Sequence, residues 1–201
     1  MVNEGRPRAG TRSRKGPNDG PRQLVIRNRQ SVRGVNLPLL RQIGRHLIGQ
    51  YLRYDFFELC LHLVEDAEMR RVHEQFLQDK NATDVITFDH SSLFKLPPAP
   101  RSTQQRPSLH GELYICLSEA LSQARKFRTT WQMELSRYLV HGLLHLCGYN
   151  DQQPQARRRM KTVENRLVRR LANEFPLSSL LVTRRRPPRR RPASKPPSRR
   201  E

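Results

Sequence analysis

The segment Arg137–Cys147 constrains this chain more than any other, because it is apolar almost all the way round. Leu139, Val140, Leu143, Leu144 and Leu146 leave no polar face wide enough to meet solvent. A helix of that kind is stable only when buried, so the rest of the domain has to be laid around it. Inside it stand two histidines, His141 and His145, with Gly142 between them leaving room for a close neighbour.

The flanking sequence supplies what could cover such a helix. Gln23–Arg29 alternates well enough for an edge strand. Pro38–Leu52 carries Leu39, Leu40, Ile43, Leu47, Ile48 and Leu52 at helical spacing, with Pro38 in the first turn. Phe56–Val64 reads as a strand with Phe57, Leu59, Leu61 and Leu63 on one face and Glu58 and His62 on the other. Glu65–Leu77 follows as a helix whose acidic start suits the helix dipole. Thr83–Phe88 is β-branched and aromatic, and reads as a buried strand. Ser91–His110 is Pro-rich and polar, and is expected to be a long functional loop. Gly111–Leu117 is the fourth strand, and Ser118 is placed to cap the helix after it. Thr130 is placed to cap the apolar helix, and Gly148 suits its left-handed exit. Pro154–Leu171 is the last helix, with Met160, Val163, Leu167 and Leu171 on one stripe. The expectation is one α+β domain, a small mixed sheet of about four strands packed with about five helices.

Charge sets the limits of that domain. The chain carries 38 Lys and Arg against 18 Asp and Glu, and only 35% of it is hydrophobic. Residues 1–22 hold six cations against Glu4 and Asp19, and 184–201 hold nine against Glu201, so the ends supply 12 of the 20 net charges. We therefore expect a disordered basic arm over 1–22, a folded domain over 23–175 and a disordered Arg/Pro-rich tail over 176–201. A net charge of +20 points to a polyanion, nucleic acid before a membrane surface. No apolar run reaches the length of a membrane span, and no signal-peptide core is present. Cys60, Cys116 and Cys147 form no CxxC pair, which fits thiols in a reducing cytoplasm.

Histidines at i and i+4 are offset by about 40° on a helix, so His141 and His145 can share one ion. Gly148 ends the helix, and Asp151, six residues past His145, is within reach as a third ligand. Two imidazoles and a carboxylate suit one Zn²⁺ with an open fourth position, at the end of a buried helix. The ion would acidify water and polarise a phosphoryl oxygen. An HxxxH pair alone fits a hydrogen-bonded core equally well, and Asp151 alone fits a turn.

The stretch HGLLHLCGYND at His141–Asp151 resembles the core motif of the YbeY-type bacterial rRNA maturation factors. TDVITF at Thr83–Phe88, GELYIC at Gly111–Cys116, and Met160 with Glu164 resemble further family segments, so the likeness runs from about Leu24 to Leu171. It implies the family's fold, one zinc ion on His141, His145 and Asp151, and single-strand-specific endoribonuclease activity. It also implies a role in small-subunit rRNA 3′-end maturation and ribosome biogenesis, with rRNA and the small ribosomal subunit as partners, in the cytoplasm. No membrane and no small-molecule cofactor beyond the metal are expected.

Three departures stand out. The family's third ligand is usually a histidine, where this chain has Asp151; an anionic ligand would shift preference toward harder ions and leave bound water less acidic. An arginine that many members carry before the TDV strand falls at Leu77, so Lys80 or the tail residues Arg184, Arg185 and Arg186 are the expected RNA contacts. The basic ends have no counterpart in the family pattern.

No residue identifies itself as a general base. Glu112 and Asp84 sit on or beside strands and read first as solvated strand-end carboxylates. Thr83 and Thr87 read as structural, His90 and His110 as surface residues, and Cys147 as lying off the ligand face. A metalloprotease of the HExxH type is disfavoured because Gly142 occupies the position of its glutamate. The alternative that stays open is a non-catalytic RNA-binding ribosome-assembly factor with the same fold.

Overall fold

The computed structural model describes residues 21–77, 83–91 and 108–182. Lys80, Arg184, Arg185 and Arg186 lie outside the described residues, as do the basic ends. In chain order the elements are β1 (Arg22–Asn28), α1 (Leu37–His46), β2 (Phe56–Val64), α2 (Asp66–Leu77), β3 (Val85–Asp89) and β4 (Ser108–Cys116). Three further helices follow, α3 (Leu117–Phe127), α4 (Trp131–Leu146) and α5 (Pro154–Glu174). The sheet order is β1-β2-β4-β3, with β1, β2 and β4 parallel and β3 antiparallel to β4. Among the described residues the expected α+β class forms, a mixed sheet of four strands packed with five helices.

Parallel pairing of β1 with β2 requires a crossover, and α1 supplies it. Asn36 caps α1 by accepting the Leu39 N–H at 3.2 Å. The helix does not run regularly to Leu52 as expected. It widens over Leu47–Tyr51 into a π turn closed by Leu52 N–H to Leu47 O at 3.0 Å. That extra residue per turn keeps Leu47 and Ile48 fully buried as the helix ends.

Alternation on β2 places Phe57, Leu59, Leu61 and Leu63 in the core, and β4 adds Leu109, Leu113 and Ile115 to the same face. Helix α4 lies on that face. Gly142 is its point of closest approach: a Cβ there would sit 2.6 Å from Leu113 Cδ2. The opposite face is covered by a smaller cluster of Val64, Met69, Ile86 and Cys116 beneath α2.

Five local expectations are corrected. The TDVITF segment is an edge strand rather than a buried one, with Ile86 its one buried side chain, because β4 pairs on one side of it only. Strand β4 starts at Ser108, within the expected loop, because β2 extends far enough to pair Phe56 with Ser108. His110 is consequently 7% exposed rather than a surface residue. Ser118 does not cap α3: the helix begins at Leu117, and Cys116 takes the cap position without a side-chain bond. Packing also continues past Phe175, where a 3₁₀ turn at Leu177–Leu180 buries Leu177 and Leu180, and Leu181 bridges Val35.

Candidate metal centre

Helix α4 is fixed at both ends. Thr130 Oγ1 accepts the Met133 N–H at 3.2 Å. At the other end Gly148 adopts φ +85°, and the Tyr149 N–H reaches Leu144 O at 3.0 Å. That left-handed exit, which glycine enters without steric cost, folds the chain back over the last turn. The return places two groups near the histidines: the Tyr149 carbonyl, 3.0 Å from His145 Nδ1, and the Asp151 carboxylate. Arg157 Nε donates to Asp151 O at 2.8 Å and ties the bend to α5.

His141 Nε2 and His145 Nε2 are 3.0 Å apart, and Asp151 Oδ2 lies 3.9 Å from each. The side chains are only partly exposed, at 25%, 28% and 40%. Among the described residues this is the one group of three or more His, Cys, Asp or Glu close enough to hold a metal ion.

Hydrogen bonding selects the tautomer of both rings. His141 Nδ1 faces Glu164 Oε2 at 3.1 Å, and His145 Nδ1 faces the Tyr149 carbonyl. Both partners are acceptors, so each Nδ1 carries a hydrogen and each Nε2 of a neutral ring carries a lone pair. Two lone pairs aimed at one another across 3.0 Å repel unless a cation sits between them. Bonds of about 2.0–2.1 Å to a tetrahedral zinc ion set ligand atoms about 3.3 Å apart, so adjustments of a few tenths of an ångström admit the ion. The residues present fit the group.

Behind His141 lies a charged network that sequence reasoning did not assemble. Glu164 is buried. Its Oε1 accepts from Arg137 Nη1 at 2.7 Å and from Lys161 Nζ at 2.8 Å, and Arg137 also bonds Asn165 Oδ1 at 2.8 Å. Burial alone would raise the Glu164 carboxyl; the bonds from His141, Lys161 and Arg137 outweigh it and hold it down at about 2. The glutamate is thus held as an anion that orients the ring. A signal for it existed: Arg137 continues the stripe of His141 and His145 one turn earlier, and Glu164 is an acid on the apolar side of an arginine-rich helix.

A cleft opens beside the cluster, bordered by Asp84, Arg137, Tyr138, Arg157, Met160 and Lys161. Asp84 therefore does face the site. Its Oδ1 also accepts the Val85 N–H at 2.9 Å, which anchors the start of β3. Glu112 does not. Leu113 points at α4, so its neighbour Glu112 projects from the other face of the sheet, where it pairs with His62 Nε2 at 3.0 Å. His90 lies there too, 3.7 Å from Glu112. Thr83 bonds locally to Asp84 and Val85, and Thr87 Oγ1 is buried below Gly142. Cys147 meets Tyr54, away from the ligand atoms.

Residues 25–172 match the family model described as Endoribonuclease YbeY. A protein of that name from Salinibacter ruber is 31% identical over 155 residues, which cover 76% of this chain and 94% of the relative. Its namesake from Myxococcus xanthus is 37% identical over 111 residues, 55% of this chain and 35% of that longer protein. The solution structure of TM1509 from Thermotoga maritima superposes with a TM-score of 0.52 at 22% identity, covering 78% of this chain and 95% of that one; the likeness is one of fold.

Proposed function

Because the chain belongs to the YbeY family, we propose that it is a zinc-dependent endoribonuclease specific for single-stranded RNA. In this reading it acts in small-subunit rRNA 3′-end maturation and ribosome biogenesis in the cytoplasm, with rRNA and the small ribosomal subunit as partners. His141, His145 and Asp151 hold the ion. The observation that carries the reading is the pair of Nε2 atoms 3.0 Å apart, each ring locked by an acceptor on its Nδ1, with a carboxylate 3.9 Å from both. No helix among the described residues is long and apolar enough to cross a membrane.

When bound, the ion supplies acidification of water and polarisation of a phosphoryl oxygen. The chain's own residues do the rest. Arg157 and Lys161 border the cleft from α5 and Arg137 borders it from α4, so a phosphodiester entering beside the cluster meets three cations. Of the carboxylates around the cleft, Glu164 is committed to His141, Arg137 and Lys161, and Asp151 faces the imidazoles. Asp84 remains to accept a proton from the attacking group.

The test compares wild type with His145→Ala and Asp151→Ala for bound metal and for cleavage of a single-stranded RNA. Wild type should bind about one zinc and cut, and both variants should lose metal and activity together. Metal binding without cleavage would favour the non-catalytic assembly factor, and equal cleavage by all three would place the activity elsewhere.

A further inference from the structure

Helix α5 carries seven cations, Arg157, Arg158, Arg159, Lys161, Arg166, Arg169 and Arg170, against Glu164 and Glu174. Both acids are engaged elsewhere: Glu164 is buried behind His141, and Glu174 bonds Tyr51 and pairs with His46. Two of the cations are likewise occupied, Arg157 by the Asp151 carbonyl and Lys161 by Glu164. Arg158, Arg159, Arg166 and Arg169 are exposed, and among the described residues they form no ion pair.

At 100° per residue, these four and Arg170 fall within about 120° of the helix circumference and extend about 18 Å along it. The middle of that arc is about 180° from Glu164, so the stripe faces away from the metal centre. Thr162, Asn165 and Asn173 lie among the arginines, and together with Arg166, Arg169 and Arg170 they line a shallow groove. Guanidinium groups interleaved with side-chain amides are the donors that nucleic-acid phosphates take.

We propose that the outer face of α5 is a second RNA-binding surface, separate from the cleavage site, that grips the sugar–phosphate backbone of double-helical RNA. The proposal deepens the reading of the chain as an RNA enzyme, and rests on it for the identity of the polyanion. Three observations select this occupant. The helix has no aromatic residue, so it offers no platform for stacking the bases of a single strand. Its apolar side, Met160, Leu167, Val168 and Leu171, is buried in the core, so it cannot lie in a membrane interface as an amphipathic helix does. The sequences outside the described residues are themselves basic and hold no acidic run that could neutralise the stripe. A cleavage enzyme built this way can hold a folded RNA by one helix while a nearby single strand enters the cleft.

The experiment measures binding of the full chain to an RNA hairpin with a long duplex stem, across a salt series, by fluorescence anisotropy. It is done in the His145→Ala background so that no turnover is needed. The stripe variant is R158Q/R159Q/R166Q/R169Q, and the charge-matched control is R27Q/R45Q/R71Q/R125Q. Each duplex phosphate contact contributes about 0.9 to the slope of log affinity against log salt, so the stripe variant should be shallower by roughly 2 to 3. Its affinity at moderate salt should fall at least about tenfold, with melting temperature retained. The control should keep most of the slope. Equal losses in both variants, or none in the stripe variant, would overturn the proposal. So would a stripe variant that keeps duplex binding and instead loses binding to vesicles containing phosphatidylglycerol. A wild type that binds through the stripe but never cuts RNA would sink the endoribonuclease reading and leave this one standing.

Discussion

Glu164→Gln isolates the role of the carboxylate that backs His141. The exchange keeps volume and removes one charge. In the native site the two carboxylate oxygens accept from His141 Nδ1, Arg137 and Lys161, whereas a glutamine has one accepting oxygen and an NH₂ that donates. If the oxygen stays with Arg137, the NH₂ faces the Nδ1–H of His141 and two donors oppose each other. The ring can relieve this by moving its hydrogen to Nε2, which destroys the lone pair that would take the metal. Loss of such an outer partner costs about 10- to 100-fold in metal affinity, or about 1.4–2.7 kcal/mol. Stability falls too. Removing one member of a buried ionic group costs about 3–5 kcal/mol, but the Lys161 side chain is 56% exposed and regains water, so about 2–3 kcal/mol is expected. Zinc affinity is measured by competition with a chromophoric chelator, and the ring tautomer by ¹⁵N NMR. Glu134→Gln is the control: Glu134 is buried and pairs with Arg137 at 3.5 Å but does not touch His141, so it should lower stability and spare zinc affinity. Zinc affinity within twofold of wild type in Glu164→Gln, or an equal loss in Glu134→Gln, would refute the orienting role.

The two tight glycines should respond differently to alanine. At Gly142 the new Cβ meets the movable end of Leu113 and the gain in helix propensity offsets part of the clash, giving about 0–1 kcal/mol; at Gly111 it meets the backbone oxygen of Phe88 at 2.5 Å, and about 2–3 kcal/mol is expected. Urea melts of the two variants decide, and the reverse order would mean that the sheet yields more readily than the helix. Burial lowers the pKa of His62 below its ordinary 6.5, with the Glu112 pairing too weak to reverse it. Its contribution to stability is therefore complete above the unfolded value and is lost as pH falls below about 6.5. Relative to His62→Gln, wild type should lose stability faster from pH 7 to 5 in thermal melts, and parallel curves would rule out the buried neutral imidazole.

The sequence shows most clearly those features in which one side chain decides its own environment. Apolar residues every second position on β2, and on nearly every face of α4, can only be buried, so both elements could be read directly. The left-handed exit at Gly148 and the Thr130 cap were equally legible, because each depends on one residue type. What failed depended on partners far along the chain. β3 carries a buried-strand composition yet sits at an edge, since the side on which a strand pairs is set by the topology of the whole sheet. The start of β4 is set by the length of β2, and the π turn after α1 by the need to keep Leu47 and Ile48 inside. The three residues of the candidate metal centre are close enough in sequence to be grouped by spacing, whereas Glu164, more than twenty residues past His141, meets it through the packing of α5 on α4.

The helix that builds the core is also the one that presents the imidazoles, and this has a physical consequence for the centre. Leu139, Val140, Leu143 and Leu144 are buried among the sheet and the surrounding helices, and this packing holds the backbone that carries His141 and His145. Two of the three candidate ligand side chains are thus placed by hydrophobic packing, and their rings are oriented by Glu164 and the Tyr149 carbonyl. Asp151 differs. It stands on the return bend, is 40% exposed, and is anchored chiefly through its backbone by Arg157. The third position of the candidate centre is therefore the one where a side chain can be exchanged without rebuilding the core. Closing on an ion then asks only small ring adjustments of the two histidines, while the bend carries Asp151 the larger distance inward.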